Sequence, residues 1–295
     1  MKVLLALLPL LFSLTAAKGD EAWSCKSDGT ARTVQATLDG VPAILHIPAT
    51  ANRPPILLWH GFGPPVSEAD LQAALPLDDV PAIKVYLGLP LFGKRAPAEG
   101  ELSLRERQSK DYGLLLFSPA AIGAADELPA AVQALRLHHC LEKNGPVSLF
   151  GFSASGASVL TALAERKIAI DTAILVNPSS GLTSGVAALE KATGRPYEWT
   201  AQSKALAARS DGIGRAKEIA AGRPALLIIT GTADSVVSSD GPRALNEALK
   251  PLYDGDGQEA RLKLAELPGL GHDWTAPEAR GPVAALISDW LKRHS

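Results

Sequence analysis

From residue 32 to the end of the chain, short apolar runs alternate with longer stretches of helical spacing. This alternation limits the folds open to the chain more than any other feature. The runs at 32–38, 43–47, 55–59, 82–87, 147–151, 170–176, 225–230 and 262–266 have the length and composition of strands. Stretches 128–141, 155–165, 239–252 and 282–293 carry apolar residues at helical intervals. The first two runs leave no room for a helix between them and should pair as a hairpin. The later ones alternate as βαβ units. That order predicts an α/β fold: a mostly parallel central sheet of about eight strands, helices on both faces and an antiparallel N-terminal edge.

Two stretches depart from the alternation. Residues 88–113 read as a long polar connection following a strand, and 178–222 reads as a helical insert between two strands. Both leave the sheet at its carboxyl edge, where open α/β sheets bind ligands. Residues 18–295 therefore read as a single domain, with a small helical cap at about 178–222.

The first seventeen residues, MKVLLALLPLLFSLTAA, stand apart. Lys2 supplies a positive start, Val3 to Leu14 an apolar run, and Thr15-Ala16-Ala17 a small-residue end, the layout of a secretory signal peptide. The run is shorter than the roughly 20 apolar residues that span a bilayer, and Pro9 interrupts it. The expectation is cleavage after Ala17, a secreted or periplasmic product and no integral membrane segment thereafter. A formal charge of -2 gives no reason to expect nucleic acid as a partner. Cys25 and Cys140 are the two cysteines of the chain. In an exported protein they could form one disulfide, or stay as two thiols, and their spacing leaves the choice open.

Four loops, each following an apolar run, carry chemistry. In LFGFSASGAS, residues 149–158, the strand stops at Gly151 and helical spacing starts at Ser155, which puts Ser153 at a sharp strand-to-helix turn. Residues two before and two after a nucleophile at such a turn must be small, and Gly151 and Ser155 are. Ser155 as nucleophile would need the strand to continue past a glycine, and Ser158 falls inside the helix. WHGFG places two glycines after a strand, a turn able to aim main-chain N–H groups at a developing oxyanion; Phe62 and Ala154 are the assigned donors. ITGTADSVV presents Asp234 just past a strand, where it could orient a histidine or merely shape a turn. Asp240 lies in or near the next helix, and Asp273 adjoins the histidine it would have to reach. LPGLGHDW delivers His272 between the last strand and the last helix, and imidazole has the pKa a general base needs. No HExxH and no Cys/His cluster of ligand spacing occurs, so neither a metal nor another cofactor is expected.

In this order WHGFG, GFSASG, GTADSVV and LPGLGHDW resemble the functional loops of the α/β-hydrolase family, over roughly residues 55–292. Within it the chain resembles small exported bacterial serine esterases and dienelactone-hydrolase-like proteins. The resemblance implies Ser153 as nucleophile, His272 as general base and then acid, Asp234 as its orienter, and Phe62 and Ala154 as oxyanion donors. It departs from the common pattern at Ser155, where glycine is usual. The reaction implied is hydrolysis of a small carboxylic ester through an acyl-enzyme. Peptide hydrolysis by the same triad, or a non-catalytic binding role on the same fold, are the alternatives. Tyr197 and Trp199 in the cap are candidates to line the substrate site, or equally packing residues.

Overall fold

The computed structural model describes residues 23–254 and 259–295; the expected leader at 1–17 lies outside them. Eight strands form one sheet in the order β1-β2-β4-β3-β5-β6-β7-β8. β1 (Arg32–Leu38) and β2 (Val41–Ile47) form the expected antiparallel hairpin, turning at Asp39-Gly40. β2 also pairs antiparallel with β4 (Lys84–Leu87). From there every pairing is parallel through β3 (Ile56–Trp59), β5 (Val147–Phe152), β6 (Ile170–Val176), β7 (Ala225–Gly231) and β8 (Leu262–Leu267). β3 has β4 on one side and β5 on the other, so strand order reverses there. Open sheets gather their ligand-binding loops at such a point.

The central strands are buried on both faces and their side chains alternate between two cores. Val147 and Leu149 of β5, with Leu226 and Ile228 of β7, join one cluster. Phe150, Phe152, Leu227 and Ile229 join the other. The first core is closed by α3 (Gly123–Leu137), α4 (Ser155–Glu165), α7 (Ala216–Ala221) and α8 (Asp240–Tyr253), through Val132, Leu160, Ile219 and Leu249. The second is closed by α1 (Glu68–Ala74) and α9 (Pro277–His294), through Leu71, Val283 and Trp290, with Leu75 just past the end of α1.

The polar connection expected at 88–113 is in large part helical. After a short turn at Gly93–Arg95 the chain forms α2 (Glu101–Asp111), then a wide-turned helical segment, Tyr112–Ile122, that runs directly into α3. No residue of α2 is buried, so it has no apolar stripe for sequence periodicity to reveal. Pro119 falls where the turns are widened. The expected helix 128–141 accordingly begins earlier, at Gly123, and the last one begins at Pro277 rather than 282. α1 was not foreseen either; its seven residues are too few to establish a period. Between β6 and β7 the chain forms α5 (Leu182–Thr193), α6 (Ala201–Ser210) and α7.

Candidate active site

Four strand ends deliver the four loops to one edge of the sheet. In register, Trp59 of β3 lies beside Gly151 of β5, Phe152 beside Val176 of β6, and Gly231 of β7 beside Leu267 of β8. Residues following neighbouring strands therefore meet, although they are far apart in sequence.

Ser153 follows β5 with a backbone φ of +54°, a left-handed conformation unusual for a residue bearing a side chain. Its N–H donates to the Val176 carbonyl (3.0 Å), and its own carbonyl accepts from Gly156 and Ser179 (2.9 Å each). The turn is thus held from both sides. Gly151 has no alternative there: a Cβ on it would lie 2.4 Å from the Ser155 carbonyl oxygen. Gly156 is as constrained, its would-be Cβ 2.5 Å from Cβ of Pro178.

The structure brings Ser153, His272 and Asp234 into one chain of hydrogen bonds. His272 Nε2 lies 3.0 Å from Ser153 Oγ, and His272 Nδ1 lies 2.7 Å from Asp234 Oδ2. A carboxylate can only accept, so in the neutral ring Nδ1 carries the proton and the Nε2 lone pair faces the serine hydroxyl. The Asp234 side chain is shielded completely from solvent and that of His272 is 16% exposed. Oδ1 of Asp234 also accepts from the N–H groups of Val236 (2.8 Å) and Val237 (2.9 Å), so one carboxylate both shapes its own turn and meets the His272 ring. Asp240 and Asp273 are engaged elsewhere, with Ser238 and Thr275. The His272 ring packs against Phe152, and Phe152 in turn against the fully buried Trp274.

Among the described residues, the N–H groups of Phe62 and Ala154 have no hydrogen-bond partner. Gly61 lets the two loops touch, since a Cβ there would sit 2.8 Å from Ser153 Cβ. The Phe62 ring stacks on Phe92 at 5.1 Å, and the buried His60 ring meets Phe92 edge-on. His60 Nδ1 donates to the Gly61 carbonyl (2.7 Å), and burial lowers the imidazole pKa to about 4, which keeps the ring neutral.

Tyr197 and Trp199 pack edge to face at 5.0 Å, and the Tyr197 hydroxyl donates to Asp111 Oδ1 (2.6 Å) beside Gly113. Among the described residues no hydrogen bond or ring contact joins either to Ser153, Asp234 or His272. Their neighbours make them a brace between the α2 end and the segment ahead of α6. Cys25 and Cys140 are joined as a disulfide; Trp23 stacks on His138, and the Cys25 N–H donates to the His138 carbonyl (2.9 Å), pinning the N-terminal segment to the end of α3.

One residue of the site escaped sequence reasoning. Asn177, just past β6, is fully buried and bonds both the end of β7, ahead of Asp234, and the loop carrying His272. The signal available was an asparagine closing an apolar run, in line with the other strand-end loops.

The eight-stranded, mostly parallel sheet with helices around it matches the α/β-hydrolase fold, and the chain has that fold. It is similar to the protein TT1662 of Thermus thermophilus, with 20% identity and a TM-score of 0.66 over 89% of this chain and 98% of that one. An esterase of Pyrococcus furiosus superposes with a TM-score of 0.60 at 15% identity, over 90% of each chain. A puromycin-hydrolyzing peptidase of Mycobacterium tuberculosis gives 0.62 at 17% identity, over 89% of this chain but 39% of its own. No protein-family model matches the sequence, and no curated protein does.

Proposed function

We propose that the protein is a serine hydrolase that cleaves small carboxylic esters through Ser153, His272 and Asp234. The observation that carries this reading is the unbroken chain from Ser153 Oγ through the His272 ring to Asp234, ending on a serine held at positive φ. In the proposed reaction Ser153 Oγ attacks the ester carbonyl while His272 Nε2 takes the hydroxyl proton. The N–H groups of Phe62 and Ala154 stabilise the oxyanion. Collapse expels the alcohol, which leaves with the proton from His272. A water then loses its proton to His272, attacks the acyl-enzyme and releases the acid, and the proton returns to Ser153. Hydrolases among the structural neighbours support the general class.

The test is hydrolysis of p-nitrophenyl esters from acetyl to long acyl chains by wild type and Ser153→Ala. Activity that falls with chain length and vanishes in the variant is the expected outcome; equal activity in both would sink the assignment. Peptidases among the neighbours favour a second reading, amide cleavage by the same triad. Peptide p-nitroanilides, hydrolysed in place of esters, would select it.

We further propose that the chain is exported. The leader pattern at 1–17 and the Cys25–Cys140 disulfide both support this, because such bridges persist in oxidising compartments. Material recovered from the exporting cell should begin near Lys18, and an intact Met1 would refute cleavage.

A further inference from the structure

β6 ends between the strands that deliver the serine and the aspartate, yet its loop contributes no member of the triad. What it does contribute is Asn177, whose side-chain amide is used at both ends. Oδ1 accepts from the Gly231 N–H (2.8 Å), three residues before Asp234. Nδ2 donates to the carbonyls of Gly271 (2.9 Å) and His272 (3.1 Å). The residue is fully buried, its N–H donates to Ile229 (2.8 Å), and its φ is +43°, a conformation asparagine tolerates better than most side chains.

The acid and base loops also touch each other directly. Ala233 N–H donates to the Leu270 carbonyl (3.0 Å), and a Cβ on Gly231 would lie 2.0 Å from that oxygen. Those ties stop at Leu270, two residues short of the base. Among the described residues no other group bonds the main chain of Gly271 or His272. Among the described residues, the hydrogen bonds to the main chain at the histidine therefore come from one amide.

We propose that Asn177 is a positioning residue for the Asp234–His272 pair, fixing the base loop against the acid loop from a strand that carries neither. The proposal rests on the triad reading and deepens it. Its chemistry is specific to an amide: one acceptor is needed for an N–H and one donor group for two carbonyls, and Asn supplies both in a rigid plane. A misplacement of about 1 Å in such a pair can lower turnover by about a hundredfold.

The test uses Asn177→Asp and Asn177→Gly. Aspartate keeps the size, the left-handed backbone and the acceptor for Gly231, but sets a carboxylate oxygen against two carbonyls. Glycine keeps the backbone and removes the bridge. Three readouts are taken: kcat and KM for p-nitrophenyl acetate, the thermal midpoint, and the downfield proton resonance of His272 Nδ1 bonded to Asp234. Expected are a kcat lower by about ten- to a hundredfold with KM little changed, and a weakened or shifted resonance in protein that is still folded. A folded Asn177→Asp with unaltered kcat and resonance would overturn the proposal. So would activity lost only in step with folded protein, which would leave Asn177 a structural support alone. Should the wild type cleave no ester, the functional reading fails, while the resonance still tests whether Asn177 sets the pair.

Discussion

The Ser155 hydroxyl donates to the main-chain carbonyl of His60, so the residue two past Ser153 is bonded to the strand end that carries the Phe62 loop. Where the common pattern has glycine, this chain has a side chain that ties the Ser153 turn to the Phe62 loop. The departure at Ser155 is thus accommodated by a bond rather than by empty space.

Ser155→Ala should keep most of the hydrolysis and lose stability, because the buried His60 carbonyl loses the partner it has among the described residues. About 1–3 kcal/mol is expected from an unsatisfied buried acceptor, readable as a lower thermal midpoint. Ser153→Ala should show the opposite pattern, with activity abolished and the midpoint little changed. Exchange of the two phenotypes would move the nucleophile by two residues.

Asp234→Asn should lower kcat by about 10⁴-fold, since an amide no longer selects the histidine tautomer whose Nε2 faces the serine. Steady-state kinetics on the ester that wild type prefers provides the measurement. Near-normal turnover would place the orienting acid elsewhere.

Gly61→Ala should cut turnover more than it cuts binding. The added Cβ would approach Ser153 Cβ to 2.8 Å and push the Phe62 N–H away from the nucleophile. A loss of about 2.7–4 kcal/mol in transition-state stabilisation is the scale for one oxyanion donor. A change in KM with kcat intact would argue against Phe62 as a donor.

Stability should fall on acidification through a window set by His60. Its folded pKa, about 4, lies below the ordinary imidazole value of about 6.5 because burial disfavours the charged ring. The unfolded chain therefore takes up the proton first, so this contribution is complete above about 6.5 and is lost as the pH drops towards 4, at up to about 1.4 kcal/mol per pH unit. Denaturant titrations of wild type and His60→Gln across that range should diverge in slope; parallel curves would remove His60 as the cause.

Replacing both Cys25 and Cys140 by Ser should leave the kinetic constants alone and lower stability by about 4–5 kcal/mol in the chain-entropy model, the bridge closing a separation of 115 residues. Unchanged denaturation would show that the Trp23–His138 stack and its hydrogen bonds hold the segment unaided.

The eight strands, the hairpin edge and the order of the four loops were legible in the sequence, because each depends on local composition. A run of apolar residues ending at glycine marks a buried strand, and Ser153 and Asp234 stand just past two of them, while His272 follows the half-buried β8. α2 was not legible: none of its residues is buried, so the period that advertises a helix is missing. Nor were the disulfide, the bond from Ser155 to His60, or the Asn177 bridge, which joins residues 54 and 94 positions apart. The last two exist because the sheet lays β3 beside β5 and β6 beside β7, bringing distant strand ends within one hydrogen bond of each other, and the disulfide because the N-terminal segment lies against the end of α3. Periodicity encodes which face of an element is buried. Which loop meets which is decided only when the strands are placed side by side.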